Sequence, residues 1–196
     1  MIPFLVAAAV IILDQISKYI ISTNMDINAS FNLVPHIINI TYIENAGAGW
    51  GILEGHRWVF MILSSVALVL MAAVIIYLVK KKSHMFLQVS LAMMFGGGVG
   101  NMIDRFSNVT VQPGRFGEGA KVVVDFIEFA FFKFPVFNLA DTFICIGSAL
   151  FCICIFTNRM SLFRDIKNKE KNEGNNEENI DEIKAESEES EETEIL

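Results

Sequence analysis

Charged residues are scarce along most of this 196-residue chain, and cysteine, histidine and tryptophan are few throughout. Only 19% of the residues are charged and 53% are hydrophobic, and the mean hydropathy is +0.48. Soluble globular domains carry about 25% charged residues, so this composition excludes an ordinary soluble domain. It predicts a membrane protein.

Disulfide and metal chemistry have few residues available. All three cysteines fall within residues 145–154, inside one apolar stretch, where packing explains them better than a disulfide framework. The three histidines are His36, His56 and His84, and no Cys/His spacing resembles a zinc pattern. We expect no metal ion and no other cofactor.

The acidic residues are concentrated at the C-terminal end. Residues 165–196 contain thirteen Asp and Glu residues and four lysines, which leaves a net charge of +2 for residues 1–164. This end has too few apolar residues to offset the entropy of ordering it. We expect a membrane-embedded domain over 1–164 and an acidic, disordered cytoplasmic tail over 165–196.

Four apolar runs remain, each close to the ~20 residues that a helix needs to cross the hydrocarbon core. They are Ile2–Ile21, Trp58–Val79, Met85–Met102 and Val136–Thr157. Four transmembrane helices are therefore predicted. A cleaved signal peptide is the alternative for the first run, but that run has no basic N-terminal region and contains Asp14, Gln15 and Lys18.

Basic residues predict the orientation, because cytoplasmic loops are enriched in lysine and arginine. Lys80, Lys81 and Lys82 close the second run, and a basic cluster between residues 159 and 169 follows the fourth. Both termini are then cytoplasmic, and segments 22–57 and 103–135 face outward.

Polar residues within the predicted spans need partners, because an ionisable group in hydrocarbon costs at least ~2.5 kcal/mol. In DQISK, Asp14 and Lys18 are four residues apart and are expected to form an ion pair near the outer end of the first span. They either neutralise each other or also bind a polar headgroup. In GGGVGNMIDRF, residues 96–106, the glycines favour close helix packing, and a phosphate-binding loop is disfavoured because its Gly-Lys-Ser/Thr ending is missing.

The two outward segments carry strand patterns. Ile37 to Ile43 is rich in β-branched residues and leads into ENAGAG, and residues 121–127 alternate around Asp125. Aromatic residues follow over 126–134, as is typical of a membrane interface. We therefore predict a small extracytoplasmic β-sheet cradle that lies on the bilayer.

FNLAD opens the fourth span and admits two interpretations. Asn138 is a natural N-cap, and Asp141 three residues later can bond back to the cap, so Asp141 could simply complete a helix. Asp125 is a second carboxylate on the same side of the membrane. Two aspartates brought together in a dry site share a proton and can act as an acid and a base, as in aspartic peptidases. Their distance cannot be derived from the sequence.

Five motifs in order, DQISK, ENAGAGWG, GNMIDR, VVVDF and FNLAD, resemble those of lipoprotein signal peptidase, or signal peptidase II. The resemblance implies a membrane aspartic endopeptidase that cuts diacylglyceryl-modified prolipoproteins before the lipidated cysteine. It implies Asp125 and Asp141 as the catalytic pair. Supporting or substrate-binding roles are implied for Asp14, Lys18, Asn45, Gly47, Asn101, Asp104, Arg105, Asn138 and Ala140. The stretch between Arg105 and Asp125 is longer than is usual in the family, and the acidic tail is an addition.

The implied partners are lipidated prolipoproteins, membrane lipids and a globomycin-type inhibitor, without nucleic acid, for a monomer in the bacterial cell (inner) membrane. The active site is then expected near the outer surface. Two other function classes stay open from the residues alone. A small proton-coupled transporter would relay protons through Asp14, Asp125 and Asp141, although no internal repeat is visible. A non-catalytic scaffold would leave Asp125 and Asp141 unexplained.

Overall fold

The structure, a computed structural model, describes residues 1–46, 57–116 and 118–157. The elements in chain order are α1 (Ile2–Asn24), β1 (Ser30–Val34), β2 (Ile38–Asn45), α2 (Arg57–Lys80), α3 (Met85–Ser107), α4 (Pro113–Phe116), β3 (Val123–Phe129) and α5 (Leu139–Thr157). The chain divides into two compact units, Met1–Cys152 and Ile153–Leu196. All contacts described below lie within the first unit. The predicted tail, 165–196, lies outside the described residues.

Within the described residues, four helices are long and apolar enough to cross a membrane: α1, α3, α5 and residues Met61–Lys80 of α2. The prediction of four spans is confirmed, with shifted ends. Helix α1 continues to Asn24, α3 continues to Ser107, and α5 begins at Leu139 rather than Val136. Hydropathy locates the apolar part of a helix, whereas backbone hydrogen bonding continues through polar residues such as those of GNMIDR.

Helix α3 lies at the centre of the helical packing because its glycines let neighbouring helices approach closely. A Cβ atom at Gly96 would lie 2.8 Å from the carbonyl oxygen of Ala7 on α1. A Cβ atom at Gly97 would lie 2.8 Å from Ile144 Cγ1 on α5. Small residues at helix interfaces give this close contact in membrane proteins. The prediction that the GGGVG segment serves helix packing is confirmed.

The three strands form one antiparallel sheet in the order β1-β2-β3. The two predicted strands are present, displaced towards the C-terminus by one or two residues, and β1 was not predicted. Pairing of β2 with β3 is interrupted by a register shift between Ile40 and Ile43 and resumes with Ile43 opposite Asp125. A shift of this kind turns side chains towards the other face of a sheet.

A small apolar cluster joins the sheet to the ends of two helices. Tyr42, Val124 and Phe126 are buried, and Ile21 of α1 and Leu139 of α5 pack against them. The sheet is thereby fixed beside the first turn of α5. Cys145, Cys152 and Cys154 are free thiols on α5, and Cys145 and Cys152 are exposed.

Candidate active site

Asp125 lies in the middle of β3 and is only 3% exposed. Asn45, at the end of the paired strand β2, donates a hydrogen bond from Nδ2 to Asp125 Oδ2 at 2.9 Å. Asn138 donates from Nδ2 to Asp125 Oδ1 at 2.7 Å. Each carboxyl oxygen of Asp125 is therefore held by a neutral amide.

Asp141 lies in the first turn of α5 and forms a reciprocal cap with Asn138. The Asp141 backbone N–H donates to Asn138 Oδ1 at 3.0 Å, and the Asn138 backbone N–H donates to Asp141 Oδ2 at 3.2 Å. The sequence prediction of an Asn138 cap is confirmed. Asp141 also accepts a 2.7 Å hydrogen bond at Oδ1 from Asn101 Nδ2 of α3. Its role is therefore not limited to capping the start of α5.

Two asparagine side chains connect the two carboxylates. Asn138 Nδ2 donates to Asn101 Oδ1 at 2.9 Å as well as to Asp125. Asn101 in turn donates to Asp141. Asn138 is completely buried, so its amide has no competing water. The network orients both carboxylates without supplying a full charge.

The electrostatic environment of Asp125 favours its protonated form. Burial, together with the nearby Asp141 carboxylate, raises the pKa of the Asp125 carboxyl to about 7. Hydrogen bonds from Asn45 and Asn138 and the charge of Lys18 act in the opposite direction. A carboxyl that titrates near neutrality can both donate and accept a proton at physiological pH.

A second buried cluster lies between α1 and α3. Lys18 Nζ is 2.8 Å from Asp14 Oδ2 and 2.8 Å from Asp104 Oδ2. All three side chains are almost completely inaccessible to solvent. The predicted Asp14–Lys18 ion pair is confirmed, and Asp104 is a second acid on the same lysine. Asp104 of α3 is therefore joined to α1 through Lys18 and Gln15.

This charged cluster supports the site directly. Asp14 Oδ1 accepts a 2.9 Å hydrogen bond from the backbone N–H of Ala140, next to Asp141. Lys18 Nζ donates to Asn101 Oδ1 at 2.9 Å. A Cβ atom at Gly100 would lie 3.1 Å from Asp14 Cγ, so glycine at that position is what lets Asp14 reach between α3 and α5.

Sequence reasoning missed the role of Gln15. Its Nε2 atom lies 3.0 Å from Asp104 Oδ1 and 3.1 Å from the carbonyl oxygen of Gly100, and it joins α1 to α3 beside the lysine. A polar side chain inside an apolar span was the available signal, because such a group needs a partner.

A cavity of about 760 Å³ opens at the two aspartates, within the size range of small-molecule sites. Asn45, Asn101, Arg105, Asp125 and Asp141 line its polar end. Its other walls are mainly apolar and come from α2, α3, α5, the last residue of β3, Phe129, and the segment after β3, which contains Phe134. Arg105 Nη1 donates to the carbonyl oxygen of Asn101 at 3.1 Å, which places the guanidinium beside the amide network.

Gly47 lies outside the described residues. The other implied site residues lie in or beside two connected groups, the Asp125–Asp141 pair and the Asp14–Lys18–Asp104 cluster. Over 1–46, 57–116 and 118–157, no group of three or more His, Cys, Asp and Glu side chains could hold a metal ion.

Comparisons with known proteins place the chain in one family. Residues 6–157 match the family described as "Signal peptidase (SPase) II". Lipoprotein signal peptidases of Staphylococcus aureus strains JH9 and Newman are each 39% identical over 171 residues, covering 86% of this chain and 92% of the relative.

Solved structures show the same fold. One, described as a bacterial membrane enzyme determined by the in meso method at 2.3 Å, has a TM-score of 0.65 and 35% identity over 80% of this chain and 88% of its own. Another, described in the same way at 1.9 Å, has a TM-score of 0.61 and 36% identity over 78% and 91%. The matched residues 6–157 include both aspartates and their asparagines, and this chain belongs to the signal peptidase II family.

Proposed function

We propose that this chain is a membrane aspartic endopeptidase that removes the signal peptide from diacylglyceryl-modified prolipoproteins, cutting before the lipidated cysteine. The observation that carries the proposal is the pair Asp125 and Asp141, linked through Asn101 and Asn138 at the polar end of an apolar cavity. Family membership supports lipoprotein processing and does not favour a proton-coupled transporter.

In the proposed mechanism, the two carboxyl groups share one proton. Asp125 carries it at neutral pH, because burial and the neighbouring Asp141 raise the pKa of Asp125 to about 7. Asp141 is the base: it accepts two N–H donors and lies at the N-terminal end of α5, where the helix dipole favours negative charge.

Proton transfers then follow from these positions. Asp141 removes a proton from water as the water oxygen bonds to the scissile carbonyl carbon, and Asp125 gives its proton to the carbonyl oxygen. When the tetrahedral intermediate collapses, the C–N bond breaks and Asp141 returns its proton to the leaving amine. Asp125 regains a proton from the hydroxyl of the new carboxyl group. General acid and base catalysis of this kind contributes about 10² to 10⁴ in rate.

The apolar walls of the cavity support a lipid-anchored substrate. Transfer of a diacylglyceryl group from water to apolar surroundings is favourable by about 0.8 kcal/mol of free energy for each buried CH₂ group. Arg105 and the asparagines at the polar end are the groups available to hold peptide carbonyls.

The proposal is tested with the purified full-length chain in nanodiscs. A synthetic precursor peptide with a diacylglyceryl cysteine should be cut on the N-terminal side of that cysteine, as measured by product mass. The same peptide without lipid should be cut far more slowly, a globomycin-type inhibitor should stop cleavage, and EDTA should leave the rate unchanged. Cleavage elsewhere, or no cleavage by folded protein, would contradict the proposed function.

We also propose that both termini are cytoplasmic and that the aspartates lie near the outer surface of the cell membrane. In a cysteine-free background, an impermeant thiol reagent should label Glu118→Cys from outside the cell and leave Ser83→Cys unmodified. External labelling at position 83 would reverse the orientation.

A further inference from the structure

The connecting loop, residues 108–122, which is described except at residue 117, leads from α3 into β3. Its two arms run antiparallel: the Thr110 N–H donates to the Ala120 carbonyl at 2.7 Å, and the Val122 N–H donates to the Asn108 carbonyl at 3.1 Å. Val109 and Lys121 form a β-bridge between them. The second arm continues directly into β3, the strand that carries Asp125.

Glu44 on β2 fastens this loop. Its carboxylate accepts a hydrogen bond at Oε2 from the Thr110 hydroxyl at 2.5 Å and another at Oε1 from the Val111 backbone N–H at 2.9 Å. Glu44 is 3% exposed, although a buried carboxylate is costly unless its oxygens are hydrogen-bonded. Both of these donors are neutral, so the contacts of Glu44 with the loop are hydrogen bonds rather than an ion pair.

The position of Glu44 in the sheet connects it to the site. It lies opposite Val124 and precedes Asn45, the residue that donates to Asp125. Because pairing is interrupted between Ile40 and Ile43, the part of the ladder beside Asp125 consists of the pairs that begin at Ile43 and end at Asn45. Few residue pairs make up this part of the ladder, and Glu44 adds side-chain hydrogen bonds from β2 to the connecting loop beside it.

We propose that Glu44 is a positioning residue for catalysis: by holding the connecting loop against β2, it keeps Asn45 and Asp125 in the register that the aspartate pair requires. This inference rests on the proposed function. Glu44 does not touch the reacting atoms, since its carboxylate is turned towards Thr110 and Val111.

The test compares four variants of the full chain. Glu44→Ala removes the anchor, and Glu44→Gln retains an acceptor for Val111 and an amide that can pair with the Thr110 hydroxyl. Thr110→Val removes one donor and leaves Glu44 in place. Glu118→Ala is the control, because it removes an exposed glutamate from the same loop.

In Glu44→Ala we expect kcat for the lipidated peptide to fall about 10-fold with KM within about twofold, because small misplacements of reacting groups can cost up to about 100-fold in rate. Thr110→Val should lose less, and Glu44→Gln and Glu118→Ala should stay near wild type. An unchanged kcat in folded Glu44→Ala would overturn the proposal, even if its thermal midpoint falls.

A second measurement is independent of cleavage. The ¹³C signal of the Asp125 carboxyl should titrate at lower pH in Glu44→Ala than in wild type, because a loosened strand admits water to a group whose pKa is raised by burial. Asp141, Lys18 and Arg105 also face this region and are unchanged in the variant. An identical titration curve would overturn the proposal. If the wild type fails to cleave, the proposed function fails, while the titration still decides the role of Glu44. If Glu44→Ala does not fold, the same two measurements on Thr110→Val decide it.

Discussion

Two groups of carboxylates lie side by side in this protein and have different kinds of hydrogen-bond partner. Asp14 and Asp104 share the ammonium group of Lys18 at 2.8 Å each. Asp125 and Asp141 receive amide N–H donors from asparagines and have no lysine or arginine within ion-pair distance among the described residues. Carboxylates that share one lysine link the two helices through ion pairs, whereas carboxylates held by amides and lying close to each other can exchange a proton. The first group is suited to joining helices, and the second to chemistry.

The largest effect on kcat is expected when Asp125 or Asp141 is replaced by a residue that cannot carry a proton. Asp125→Asn and Asp141→Asn retain size and hydrogen bonding but cannot carry the shared proton, so each should lower kcat by at least about 10² to 10⁴. Turnover of the lipidated peptide at matched folded concentration measures this. Asp104→Asn is the comparison, and it should retain partial activity and lose stability. An Asp125→Asn enzyme with normal turnover would remove Asp125 from the pair.

Removing the cation should affect folding first. Lys18→Met leaves Asp14 and Asp104 buried without their positive partner, which typically destabilises a protein by about 3 to 5 kcal/mol. A large drop in the thermal midpoint in nanodiscs is the expected result. Lys133→Met, which removes an exposed lysine, is the control. A Lys18→Met protein as stable as wild type would show that the cluster does not join α1 to α3.

A smaller effect should follow from removing one amide. Asn45 hydrogen-bonds to Asp125 and thereby lowers its pKa, so Asn45→Ala should raise the pKa of Asp125 further above about 7. The alkaline limb of the rate profile reports loss of the shared proton and should move to higher pH by up to about one unit, because one hydrogen bond is worth about 1 kcal/mol. A limb that moves to lower pH would contradict the proposed protonation of Asp125.

No effect is expected outside both groups. We propose that the acidic segment 165–196 is a separate cytoplasmic tail, since all residues of the two carboxylate groups lie between 14 and 141. Truncation after Arg164 retains the basic residues that set orientation and should leave kcat and the thermal midpoint unchanged. A folded, truncated protein that loses most of its turnover would show that the tail acts on the site.

Much of the architecture could be predicted from local pattern. Hydropathy located the four spans, because crossing hydrocarbon requires a run of apolar residues whatever the tertiary contacts. Alternation around Asp125 and β-branched residues before Asn45 indicated two strands, and FNLAD indicated a capped helix. The ends of these elements were less accurate, and β1 was missed because pairing with β2 defines it.

The sequence by itself determined a four-span membrane protein, an Asp14–Lys18 ion pair four residues apart on one helix, and two candidate acids in family motifs. Tertiary structure decided which side chains contact one another. Asp104 pairs with Lys18, and Glu44 accepts a hydrogen bond from Thr110 in the connecting loop. Asn101 and Asn138 connect Asp125 to Asp141. Those contacts join residues 13 to 86 positions apart. Local periodicity carries no information about such pairs, because their proximity arises only when the glycines of α3 let the helices close together and the sheet is fixed above α5.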